Sequence, residues 1–177
     1  MEYAMSLLFD NSTEEKIYDL IKKIAESTGN KSFLEYGINP HMTISYFEYT
    51  KNIDTIIELL DKNVPLLNMG IGHTFLNSVG TFIPTVIYIS PVINNYLLDF
   101  NKKINKLLEK NTEINFLGFY LENKWVPHIS LAWKLNKNEL LIGMEILVNN
   151  FQNLFAEIKK IELAECNPYK EIKIWEL

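Results

Sequence analysis

Arginine is absent from this chain: all 17 basic residues are lysines, set against 22 acidic ones, and the net charge over 177 residues is -5. A protein that coats long nucleic acid neutralises many phosphates at once, and this balance argues against that class. It also means that any phosphate clamp must be built from lysine, hydroxyls, imidazolium or backbone N–H groups. Cysteine is nearly absent too. The single Cys166 rules out an internal disulfide and a cysteine-based zinc site, and nothing beside it suggests an activated thiol, so it reads as a small residue near a strand end. No stretch approaches the run of about 18 apolar residues that spans a bilayer. The start, Met1-Glu2-Tyr3-Ala4, lacks a basic region followed by an apolar stretch. The expectation is a cytoplasmic protein with no membrane association. A hydrophobic content of 47% is ample for a single buried core in a chain of 20.7 kDa.

Histidine is scarce as well, and two of the three histidines sit in matching strings. Pro40-His41-Met42-Thr43-Ile44-Ser45 and Pro127-His128-Ile129-Ser130-Leu131-Ala132 share one pattern: proline, histidine, apolar, hydroxyl, apolar, small. Two of three histidines with a hydroxyl residue at +2 would arise by accident roughly 3% of the time, and the shared proline and apolar alternation lower that further. In an extended strand, residues i and i+2 share a face, so each string presents an imidazole and a hydroxyl side by side. Strict alternation puts His41, Thr43, Ser45 and Phe47 on one face of the first strand and Met42, Ile44 and Tyr46 on the other. In the second strand it separates His128, Ser130, Ala132 and Lys134 from Ile129, Leu131 and Trp133. With the apolar sides under helices, the two histidine sides face each other across a cleft.

The elements around the strings repeat as well. A strand over 3–9 leads to a helix opened by the capping box Ser12-Thr13-Glu14-Glu15, carrying Ile17, Leu20, Ile21 and Ile24, and ended by Gly29. The first histidine strand, 41–47, follows. Next come a helix with Ile53, Ile56, Ile57 and Leu60 that stops before Pro65, and a strand from Leu66 to Val79. The second half runs through a strand at 86–89, a helix started by Ser90-Pro91 with Leu97, Phe100, Ile104 and Leu107, and the second histidine strand at 126–133. A helix capped by Asn136, bearing Leu140, Met144, Leu147 and Phe151, and strands near 155–164 and 170–177 complete it. These two halves, about 1–83 and 84–177, read as pseudo-repeats forming two interleaved lobes of one domain.

Two histidines near neutral pH suit acid and base catalysis in one step, one accepting a proton while the other donates. Thr43 and Ser130 would hold the non-bridging oxygens of a phosphate as phosphorus becomes five-coordinate. His73 has Phe75 at +2 and reads as a surface or turn histidine. No histidine pair has metal-ligand spacing and no acidic residue sits beside the strings, so no metal and no cofactor is expected. Phe47 and Phe82 are candidate stacking partners for a base, and Lys124 and Lys134 candidate sources of positive charge near the second string.

Paired H-x-[ST] strings in a duplicated chain of this length resemble the 2H phosphoesterase superfamily, most of all its bacterial 2'-5' RNA ligase and cyclic phosphodiesterase group. The resemblance implies an α+β fold, bilobal and duplicated, with two pseudo-symmetric antiparallel-sheet lobes, outer helices and a central cleft. It implies metal-independent attack on 2',3'-cyclic phosphates of RNA ends or nucleotides, usually leaving a 2'-phosphate, and 2'-5' RNA ligase activity in reverse. RNA 2',3'-cyclic phosphate ends or cyclic nucleotides are the partners it implies, with no obligate protein partner. His41 and His128 match its catalytic histidines, and Thr43 and Ser130 its phosphate-binding hydroxyls. The sequence leaves open which histidine is the base, with His128 favoured as base and His41 as acid. It also leaves open hydrolysis of a cyclic oligonucleotide signal, and a non-catalytic protein that binds RNA ends or nucleotides.

Overall fold

The computed structural model describes residues 1–67, 69–111 and 113–177. In chain order its elements are β1 (Glu2–Phe9), α1 (Asn11–Thr28), α2 (Ser32–Glu35), β2 (His41–Glu48), α3 (Asp54–Asn63), β3 (Gly72–Phe82) and β4 (Val86–Pro91). There follow α4 (Asn95–Leu108), β5 (Asn115–Phe116), β6 (Ile129–Ala132), α5 (Lys137–Asn150), β7 (Leu154–Cys166) and β8 (Tyr169–Glu176). Short 3-10 turns lie at Val64–Leu67 and Gly118–Tyr120. None of the described helices is long and apolar enough to cross a membrane.

All strand pairs are antiparallel, and the path β5-β2-β1-β7-β3-β4-β6 makes one eight-stranded sheet with β8 attached to β7. The α+β bilobal arrangement takes a specific form. β7 belongs to both halves: its residues 154–158 pair with β3, while 160–166 pair on the same edge with β8. The helices are exchanged between the halves. α1, from the start of the chain, packs on α5 and β6, whereas α4 packs on β2.

Several boundaries differ from the sequence expectation. The cap of α1 is Asp10, not Ser12, because the Asp10 carboxylate accepts from the backbone N–H of Thr13 at 3.0 Å. Gly29 ends this helix as expected, in the left-handed conformation at φ 75°. Ser90 and Pro91 do not start a helix. They finish β4, and α4 opens three residues later, where the Asn94 side chain accepts from Leu97 N–H at 3.0 Å. Leu66 and Leu67 lie in the 3-10 turn, so β3 begins only at Gly72; Asn68, within the expected strand, lies outside the described residues. The second histidine strand spans only Ile129–Ala132.

Strict alternation fails in both histidine strands, at equivalent places. In β2 the register against β1 passes from Ser6↔Thr43 to Met5↔Ser45, leaving Ile44 as an extra residue. In β6 the register against β4 passes from Tyr88↔Ser130 to Ile87↔Ala132, leaving Leu131 extra. Each is a β-bulge one residue after the hydroxyl of the repeated string, and each reverses the facing of everything downstream. Ser45 and Phe47 are therefore fully buried while Tyr46 is only half-buried.

The first bulge is clamped by α4. Asn101 and Asn105, one helical turn apart on its buried face, both donate to the Ile44 carbonyl, at 2.7 and 3.3 Å, and to the Tyr120 carbonyl, at 2.8 and 3.3 Å. Asn105 Oδ1 accepts from the Ser45 hydroxyl at 2.7 Å. The residue just after β6 is held from the start of α2 and the turn before it, where Asn30 Nδ2 and the Ser32 hydroxyl donate to the Trp133 carbonyl at 3.3 and 3.0 Å. Replacing Asn105 by Leu strands the Ser45 hydroxyl in an apolar environment and weakens the hold on Ile44. At about 1–3 kcal/mol for each buried polar group left unpaired, N105L is expected to lower unfolding free energy by about 2–3 kcal/mol in urea denaturation, and a loss under about 0.5 kcal/mol would show that the clamp is not structural.

Candidate active site

His41 and His128 line one cleft of about 320 Å³, together with Thr43 and Ser130. The four residues that the repeated strings single out thus meet, although 87 positions separate the pairs. An indole ties the loop before the second string to the first string: Trp125 Nε1, three residues before His128, donates to the Thr43 carbonyl at 2.9 Å.

The two imidazoles are held in the same way. His41 Nδ1 lies 2.8 Å from the Asn39 carbonyl, and His128 Nδ1 lies 2.7 Å from the Val126 carbonyl, in each case the residue at i-2. A carbonyl only accepts, so Nδ1 carries the hydrogen and Nε2 keeps its lone pair for the cleft. Burial holds both imidazoles below the usual histidine range, only partly opposed by these hydrogen bonds, and His41 lowers His128 further. The His41 charge therefore reaches His128. The Thr43 hydroxyl is 3.3 Å from the Ser6 hydroxyl on β1. His128 also meets the edge or face of Phe82 and Tyr88, with ring centroids 4.8 and 5.4 Å away.

The bulges add residues that alternation assigned to the wrong face. Tyr46 and Trp133, each three positions after the hydroxyl of its string, both line the cleft. Tyr46 stacks on Tyr120 at 5.7 Å and donates to Glu2 Oε2 at 2.9 Å. Ser45 and Ala132, expected beside the histidines, are buried instead. The signal for Tyr46 and Trp133 was the shared aromatic at +3, legible once a bulge is allowed for. Glu162, Cys166 and Tyr169, from β7 and β8, complete the far side of the cleft and had no sequence motif. Burial pushes the Cys166 thiol up to about 11, which leaves it an unreactive thiol.

Phe47 is not a cleft residue: the Ile44 bulge turns it into the core, where it stacks on Tyr3 at 5.8 Å. Phe82 and Lys124 line an adjoining groove of about 400 Å³ that shares His128, Ser130 and Tyr120 with the cleft. Lys134, at φ 56°, lies over the Trp133 and Tyr36 rings, 4.6 and 5.5 Å from their centroids, and does not line the cleft. His73 is exposed on β3, not in a turn, and stacks on Phe155 at 5.2 Å. Among the described residues no group of three or more His, Cys, Asp and Glu is placed to hold a metal ion.

The tautomer assignment is directly testable. A long-range ¹H–¹⁵N spectrum of the folded protein is expected to show His41 and His128 as Nδ1–H imidazoles titrating with midpoints below 6.5. An Nε2–H tautomer at either position would break the symmetry of the site.

The sequence matches no family model and no curated protein. Solved structures do match in fold. E. coli LigT complexed with 3'-AMP superposes with a TM-score of 0.63 at 12% identity, over 99% of this chain and 96% of that one. TT0787 of Thermus thermophilus gives 0.63 at 13% identity, over 100% and 98%. A crystal structure of a phosphoesterase gives 0.59 at 13% identity, over 99% and 97%. Over essentially its whole length, the chain has the LigT-like α+β fold that its resemblance to the 2H phosphoesterase superfamily implied.

Proposed function

We propose that this chain is a phosphoesterase that hydrolyses 2',3'-cyclic phosphates of RNA ends or nucleotides with two histidines and no metal. The observation that carries this reading is the mirrored pair of imidazoles, each fixed by its i-2 carbonyl and each flanked by a hydroxyl in the same cleft. One neutral Nε2 takes a proton from water as the water oxygen bonds to phosphorus. The other imidazole, protonated, gives its proton to the ribose oxygen as that P–O bond breaks. The hydroxyls of Thr43 and Ser130 donate to the non-bridging oxygens, where charge accumulates. The pair ends with its protonation states exchanged. Rupture of the bond to O3' leaves a 2'-phosphate, and the same attack with a ribose 5'-hydroxyl in place of water forms a 2'-5' linkage, which is ligation. We assign His128 as base and His41 as acid in hydrolysis.

The groove beside His128 favours a substrate that extends past one nucleoside. Phe82 and the exposed Phe119 offer stacking faces, and Lys124 a cation for a neighbouring phosphate.

The test is hydrolysis of the four nucleoside 2',3'-cyclic monophosphates and of a short RNA with a cyclic-phosphate end, in EDTA. Turnover should fall about 10²- to 10⁴-fold in both His41→Ala and His128→Ala. Because one imidazole must be charged and the other neutral, and burial lowers both, kcat/KM should pass through a maximum below pH 6.5 and decline as pH rises beyond it. Nucleotide binding without turnover in the wild type would make the chain a binding protein. Turnover that survives either substitution would exclude the two-histidine mechanism.

A further inference from the structure

The cleft contains one desolvated acid that the reaction above does not use. Glu162, on β7, is 2% exposed yet lines the cleft. Its Oε1 accepts from the Tyr169 hydroxyl at 2.6 Å, while among the described residues Oε2 has no hydrogen-bond partner. Lys160, two positions earlier on the same strand, is paired with Glu176 at 3.6 Å. Glu162 takes part in no ion pair among the described residues, and burial holds its carboxyl above the usual range. Oε2 is not among the fully enclosed unpaired atoms, and the cleft that Glu162 lines is a side from which hydrogen-bond donors can reach it.

Register fixes where this acid stands relative to the phosphate site. Ser6 of β1 is opposite Thr43 on one side and Glu162 on the other, so Thr43, Ser6 and Glu162 form one row across three neighbouring strands. At about 4.8 Å between strands, the Glu162 backbone lies about 10 Å from that of Thr43. The next row is Tyr46, Ala4 and Ala164. Serine and two alanines make a floor without bulk between the tyrosine wall and the acid. A flat ring attached to a phosphate held at Thr43 and lying along that floor would have its far edge toward Glu162.

We propose that Glu162 reads the Watson–Crick edge of guanine, an inference that rests on the nucleotide phosphoesterase reading of the cleft. Guanine presents two adjacent donors there, N1–H and the 2-amino group. Adenine and cytosine set one donor beside a ring acceptor, and uracil flanks its single N–H with two carbonyls. An ionised carboxylate only accepts, so in that form the guanine edge alone meets Oε2 without placing an acceptor lone pair against it. Tyr169 is a positioning residue here, holding Oε1 so that Oε2 is presented to the cleft.

Binding separates this inference from the catalytic one, since it needs no turnover. Affinities of guanosine, inosine, adenosine and uridine 2'-monophosphates are measured calorimetrically on the full chain and on E162Q, beside hydrolysis of the matching 2',3'-cyclic nucleotides. Inosine differs from guanosine only by the missing 2-amino group. The wild type should bind the guanosine nucleotide about ten- to a hundredfold more tightly than the inosine one, and E162Q should lose that difference. Equal affinity for guanosine and inosine in the wild type overturns the assignment, even if E162Q fails to fold, and so does a preference that survives E162Q or an absence of binding by all four. Turnover of every cyclic nucleotide without guanine preference removes the base reading and keeps the phosphoesterase. Guanine-selective binding without turnover does the reverse.

Discussion

The geometry of the cleft depends on two β-bulges, each one residue after the hydroxyl of a repeated string. Ile44 and Leu131 are the extra residues. Ahead of each bulge, alternation puts histidine and hydroxyl on the cleft face. Beyond it, the face reverses and brings in an aromatic, Tyr46 in one half and Trp133 in the other. An unbulged β2 would bury Tyr46 and turn Phe47 toward the cleft. A bulge leaves backbone groups without ladder partners, and a buried one needs other partners. In the first half the side chains of Asn101 and Asn105 supply them at the Ile44 carbonyl, from a helix in the other half of the chain. In the second half the chain two residues past the bulge is held instead, where Asn30 and the first residue of α2, Ser32, donate to the Trp133 carbonyl.

The exchange of helices follows from the same requirement. Each half-sheet receives its clamp from the opposite half of the sequence, and β7 is hydrogen-bonded into both. The Trp125 indole adds a direct tie from the loop before His128 to the Thr43 carbonyl. Chemistry that needs an acid on one side of phosphorus and a base on the other needs the spacing of two strands kept to within a fraction of an ångström. The lobes are therefore not free to drift apart without breaking buried hydrogen bonds, and the imidazoles, fixed through Nδ1, have little rotational freedom left.

Much of this was legible in the residues. The repeated strings located His41, Thr43, His128 and Ser130, and helical spacing of Ile17, Leu20, Ile21 and Ile24 located α1. What escaped was what a period of two cannot encode. Phe47 was placed in the cleft and Tyr46 and Trp133 outside it because alternation has no symbol for an inserted residue, and the partners that stabilise the insertion lie about 60 positions away, at Asn101 and Asn105. Ser90-Pro91 resembles a helix start, yet strand pairing of β4 with β3 carries through it, and the Asn94 cap decides the helix instead. Glu162 stands in an apolar strand like any solvated glutamate. Only the register with Ser6 places it in the cleft.

The claim on which the account rests is that one phosphate engages both strings at once. Titration of the protein with a nucleoside 2'-monophosphate, followed through the ring resonances of His41 and His128 by NMR, measures it directly. The account predicts that both imidazoles shift together along one binding curve, each moving toward its protonated form as the anion arrives. A shift at one imidazole alone, or two curves with separate midpoints, would contradict it.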